Sequence, residues 1–189
     1  MSIDTSKLSE VLPHREQLPH TVLSAATRRF FEAVAGVLSW VWIGLIVVIV
    51  VNVTMRYLFG EGRIEFEEIQ WHLYAVGFLV GLATAMDRDD HIRVDLFREK
   101  MAIRTRAWIE LYGLLLLFFP FVVLLIVYSI PFVGYSFTSA EISDAPGGLP
   151  LRWVIKSALP CSMLLLMIAG ASRLSRVTAC LFGRPRNVS

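Results

Sequence analysis

The stretch "YAVGFLVGLATAMDRDDHIRVDLF", Tyr74 to Phe97, decides the fold. Its first eleven residues, through Thr84, hold no charged side chain. The next thirteen, Ala85 to Phe97, hold six acidic or basic side chains and a histidine. A charge at the centre of a bilayer costs roughly 3 kcal/mol on insertion scales, and almost nothing once the chain is back in water. An apolar run that turns to charge within two residues therefore reads as a helix leaving a membrane.

The same pattern extends in both directions along the chain. Ala33–Met55 is a charge-free run of 23 residues, and Ile69–Met86 one of 18. Leu111–Ala140 is the longest charge-free run, and Pro131 and Gly134 predict that its helix ends near Tyr128 or Ser129. Ser157–Ser172 is the shortest at 16 residues, and it spans if Trp153 and Lys156 sit at the interface. A helix rises about 1.5 Å per residue, so about 20 apolar residues cross the hydrocarbon. Composition agrees: 56% of residues are hydrophobic, and 18% are charged where a soluble domain carries about 25%.

The expected fold is all-α, a polytopic membrane protein with four transmembrane helices at about 33–55, 69–86, 109–129 and 154–174. Residues 1–28 form an N-terminal tail, 29–177 the membrane domain and 178–189 a C-terminal tail. The opening residues are polar and include Pro13 and Pro19, so the first apolar run reads as a retained anchor rather than a cleaved leader. Fourteen of the Lys and Arg residues fall in the N-terminal tail, the second loop and the C-terminal tail, against four in the other two loops. The positive-inside rule then places both termini and the second loop in the cytoplasm. From Val94, "VDLFREKMAIRTRAWIE" alternates apolar and basic residues at near-helical spacing, which predicts an interfacial amphipathic helix on the cytoplasmic side, in contact with lipid. Cys161 and Cys180 are too far apart along one helix to form a disulfide.

Individual residues point to partners rather than chemistry. Trp40 and Trp42 fall mid-span, where an indole N–H lacks water and is expected to face another protein helix. Arg56 lies on the same side as Glu67 and Glu68, which suit the start of the second helix, so an ion pair between the two helix ends is expected. His91, Arg93 and Asp95 are read as fixing the turn into the interfacial helix, with Asp95 as its N-cap. No Walker A, GxSxG, CxxC or dinucleotide fingerprint occurs, and "HIRVD" offers too few ligands for a metal. No catalytic, cofactor or metal site is expected, and no nucleic-acid partner.

These motifs, taken in order, resemble a known family. "RYLFG" (Arg56–Gly60) follows the first helix, and Glu67 and Glu68 open the second, with Gly81 and Ala83 late within it. "HIRVD" (His91–Asp95), "GGLP" (Gly147–Pro150), Trp153, Lys156 and Pro160 complete the pattern. Over about Arg28 to Val177 the chain resembles the small membrane subunit of TRAP transporters, the tripartite ATP-independent periplasmic uptake systems. It departs from the family pattern at Asp87, Asp89 and Arg173. The resemblance implies a non-enzymatic role in the bacterial inner membrane, scaffolding a large permease subunit that holds the substrate and sodium sites. A periplasmic substrate-binding protein would deliver an organic acid or related small molecule. Two other readings are a membrane assembly protein without a transport partner and a haem-binding redox subunit. The second is poorly supplied, because only His72 of the four histidines lies within a span.

Overall fold

A computed structural model describes residues 21–88 and 101–183. Among them there are helices and turns and no strand. Helix α1 is Val22–Leu58, α2 is Ile64–Arg88, α3 is Ile103–Tyr112, α4 is Phe119–Thr138 and α5 is Arg152–Phe182. A π-helical turn, Gly113–Phe118, joins α3 to α4, making a single rod of three pieces. All four rods are long and apolar enough to cross a membrane.

Local chemistry sets the helix ends. Thr21 caps α1 in a capping box: its hydroxyl accepts from the Ser24 N–H at 3.2 Å, while Ser24 Oγ accepts from the Thr21 N–H at 2.9 Å. Gly60, with a φ of 69°, turns the chain after α1. The widened turn before α4 follows from Pro120. A proline has no N–H for the carbonyl four residues back and its ring crowds that carbonyl. The Phe119 N–H accordingly donates to Leu114, five residues back.

The third rod continues past the expected stop near Tyr128 or Ser129, because α4 runs through Pro131 to Thr138. In hydrocarbon there is no water to satisfy a frayed backbone, so a helix that loses one bond at proline still keeps the others. The rod also starts early. Of the stretch from Val94 expected on the membrane surface, residues 94–100 lie outside the described residues, and residues 103–108 belong to a helix that runs directly into the span. The helix of the fourth run likewise reaches well past the 16-residue charge-free core, with Pro160 inside it. Both cysteines are free thiols.

Helix α5 is the hub. It packs on α1, α2, α3 and α4, whereas the third rod packs principally on α5. The apolar core sits toward one end. Phe31, Ala83 and Ala169 form one cluster and Ala107, Leu111, Leu114 and Val177 another, with Met86 against both. We call this the terminal end, since residues 21 and 183 lie there, and the opposite one, with residues 59–63 and 139–151, the loop end. Two glycines allow close rod contacts. Gly170 on α5 faces Phe118 of the π turn so closely that a methyl there would overlap the ring. A Cβ at Gly77 on α2 would stand 3.1 Å from Cζ2 of Trp42 on α1.

Candidate functional site

At the loop end one carboxylate organises an entire loop. Glu68, one turn into α2, accepts a hydrogen bond from the Ser143 hydroxyl and another from the Leu149 N–H at 2.6 Å. Ser143 and Leu149 also meet each other, through Ser143 N–H to Leu149 O at 3.3 Å, so Glu68 closes the neck of the 139–151 loop. Gly148 is required at that neck, because a Cβ there would collide with the Ser143 side chain. The loop leaves α4 through a Schellman arrangement: Ala140 N–H to Phe137 O at 3.3 Å, and Glu141 N–H to Ser136 O at 3.1 Å. Ala140 takes the left-handed conformation there, φ 47°, where glycine is usual.

The cations at this end are paired with carboxylates among the described residues. Arg56 meets Glu67 at 3.5 Å, tying the end of α1 to the start of α2. Arg63 meets Glu61 at 3.8 Å. Arg152 lies 3.9 Å from Glu141 and 3.8 Å from Asp144. Lys156 pairs directly with Glu141 and lies 4.2 Å over the Phe132 ring. Lys156 holds the Glu141 carboxyl below its ordinary value of 4.5, with Arg152 adding to the effect.

The terminal end is built differently. Successive positions along α5 reach different rods. The Ser172 hydroxyl lies 2.9 Å from that of Thr27, and the Ser175 hydroxyl 2.9 Å from that of Thr21, which caps α1. Arg173, only 4% exposed, pairs with Glu110 of α3. Phe182 packs edge-on against Trp108, which stacks on Tyr112.

The sequence-derived candidates are distributed over these regions. Arg56, Glu67 and Glu68 come together at the loop end, with Arg56 on Glu67 as expected and Glu68 committed to the loop. The two tryptophans separate. Trp42 packs within the chain, on Gly77 and at 6.2 Å from Tyr74, whereas Trp40 is 73% exposed. His91, Arg93 and Asp95 lie outside the described residues. Sequence reasoning missed the Glu110–Arg173 pair and the partners of Glu68. Two oppositely charged residues bordering apolar runs were the available signal for the former.

The family model for "Tripartite ATP-independent periplasmic transporters, DctQ component" matches residues 45–180. The chain belongs to this family. No curated protein matches it. A DctQ component is the small permease subunit of a transporter and not an enzyme. The match runs from the middle of α1 almost to the end of α5, so it covers the Glu68 clamp, the π turn and the Glu110–Arg173 pair of this DctQ component.

Proposed function

We propose that this DctQ component is the fixed scaffold of a sodium-coupled uptake system in the bacterial inner membrane. It would support a large permease subunit, fed with an organic acid or similar solute by a periplasmic binding protein. The observation that carries this reading is the absence of Asp, Glu, Lys and Arg from 33–55, 69–86, 111–140 and 157–172. Transport pathways in membrane proteins use intramembrane charges or broken helices. Here α1, α2 and α5 run unbroken through those stretches. A chain of this kind supports a pathway that lies in another subunit.

The basic asymmetry of the sequence assigns the loop end to the periplasm and both termini to the cytoplasm. Exposed Trp40, mid-way along the first charge-free run, marks a side of α1 suited to the large subunit, since an indole N–H in hydrocarbon needs a partner. The test is reconstitution. Vesicles holding the large subunit, the binding protein and this chain are expected to take up solute down a sodium gradient, and vesicles lacking this chain are not. Uptake that is unchanged when this chain is omitted overturns the reading. Labelling of Asp144→Cys from outside, and of Asp90→Cys only from inside, checks the orientation separately.

A further inference from the structure

Cations at the two ends of the bundle differ in how they are neutralised. At the loop end Arg56, Arg63, Arg152 and Lys156 each have a carboxylate partner. At the terminal end the exposed Arg29, Arg88 and Arg104 form no ion pair among the described residues. Arg104 is distinguished by its neighbours on the helix. Arg104, Trp108 and Tyr112 are spaced by four, so they share one face of α3. Trp108 and Tyr112 stack at 5.7 Å, and Phe182 of α5 meets Trp108 at 5.7 Å. Exposed Leu115 and Leu116 come next along the rod.

This is a graded surface: an exposed guanidinium, then amphipathic rings, then aliphatic side chains, over about 18 Å of helix. It matches a phospholipid in the same order, phosphate, glycerol region and acyl chain. Aromatic rings with a polar edge favour the headgroup level. A guanidinium takes two phosphate oxygens through parallel N–H donors. We infer that the Arg104–Trp108–Tyr112 face of α3 binds an anionic phospholipid, with Arg104 on the phosphate and Trp108 and Tyr112 beside the glycerol region. The occupant is a lipid rather than free phosphate, because two of the three groups would contribute nothing to a small anion. The inference rests on α3 entering the membrane, and it holds whichever leaflet that end occupies.

The test uses the purified full chain in detergent. Native mass spectrometry would follow its adducts with phosphatidylglycerol and with phosphatidylcholine. Phosphatidylglycerol is expected to be retained at several-fold higher occupancy. Arg104→Gln lowers that occupancy about fivefold, as removal of one basic residue near an anionic surface does. Arg104→Lys, which keeps the charge but loses the fork, retains part of it. Arg63→Gln at the loop end leaves occupancy unchanged. Circular dichroism checks that each variant keeps its helix content; Arg104 is exposed and has no ion pair among the described residues, so its removal strands no buried charge. Equal retention of the two lipids, an unaffected Arg104→Gln variant, or an equal loss in Arg63→Gln overturns the inference. Displacement of the lipid by excess inorganic phosphate also overturns it, since the site would then take phosphate alone. Inverted labelling of Asp144→Cys and Asp90→Cys would change the leaflet and leave lipid binding intact, so the two failures are distinguishable.

Discussion

At the loop end a carboxylate reaches across partly solvated space to hold a turn, whereas at the terminal end Arg173 meets Glu110 beside an apolar cluster. The loop-end pairs are mostly exposed, with Arg56 and Glu67 at 61% and 44% of their side-chain surface. Exposed pairs of this kind contribute little to stability, typically between nothing and about 1 kcal/mol. They do fix geometry, because several of them converge on the loop between α4 and α5. Among the described residues the terminal end relies less on exposed pairs and more on burial. Polar contacts made under apolar cover hold rods together, and polar contacts made in water shape surfaces.

The sharpest way to break this contrast is at Arg173. Arg173→Ala leaves Glu110 without its buried cation, a loss of roughly 3–5 kcal/mol for such pairs. A lower unfolding temperature in detergent and a poor yield are expected. Replacing both residues, Arg173→Met with Glu110→Leu, is expected to restore much of the loss, because neither member of the pair is then left buried without the other. If the single and double variants melt alike, the pair is not what holds the third rod to α5.

Next in size is Gly170→Ala. The added methyl occupies the position of the Phe118 ring, and overpacking of this kind costs roughly 1–3 kcal/mol. Combining it with Phe118→Leu, which clears the space, is expected to recover part of the stability. A thermal melt of the three variants reads this directly.

The loop end responds locally. Glu68→Gln keeps the shape of the side chain and removes the charge that draws in the Ser143 hydroxyl and the Leu149 N–H. Hydrogen exchange is expected to quicken several-fold at Leu149 and its loop neighbours, with no change in the amides of α5 beyond Arg173. A matching rise in both regions would erase the distinction between the ends.

The smallest effect is with pH. Lys156 lowers the Glu141 carboxyl below 4.5, so the folded state binds that proton less readily than the unfolded chain. The stabilisation from this group is complete above about pH 4.5 and is lost as pH falls through the lower folded value. Fluorescence of Trp153, which packs at 5.4 Å from Phe137 near this site, is expected to stay flat from neutral pH down to that point and to change only below it. Glu141→Gln removes the step.

The fold was largely legible because membrane burial is written in runs: every charge-free stretch became part of a long helix. Ends were harder. Pro131 reads as a stop in water and is tolerated in a helix that has nowhere else to place its backbone groups. The Arg56–Glu67 pair was readable because topology alone brings those two helix ends to one side. Glu68 was readable as a charge at a helix start and not as a loop clamp, since its partners lie 75 and 81 residues away in sequence. Trp40 and Trp42 looked alike as mid-span tryptophans. A two-residue step turns the helix by about 200°, so one ring meets Gly77 and the other points outward.

The central place of α5 carries a consequence for how the protein is made. Helices α1 and α2 contact each other and can pair as soon as both are inserted, but the third rod finds its principal surface on α5, which is synthesised after it. Until α5 enters the bilayer, Phe118 has no notch to fill and Glu110 lacks Arg173. Assembly of these four rods therefore has an early step, the pairing of α1 with α2, and a later one that requires α5, so a chain truncated before Arg152 would hold a paired hairpin and a third rod without its principal surface.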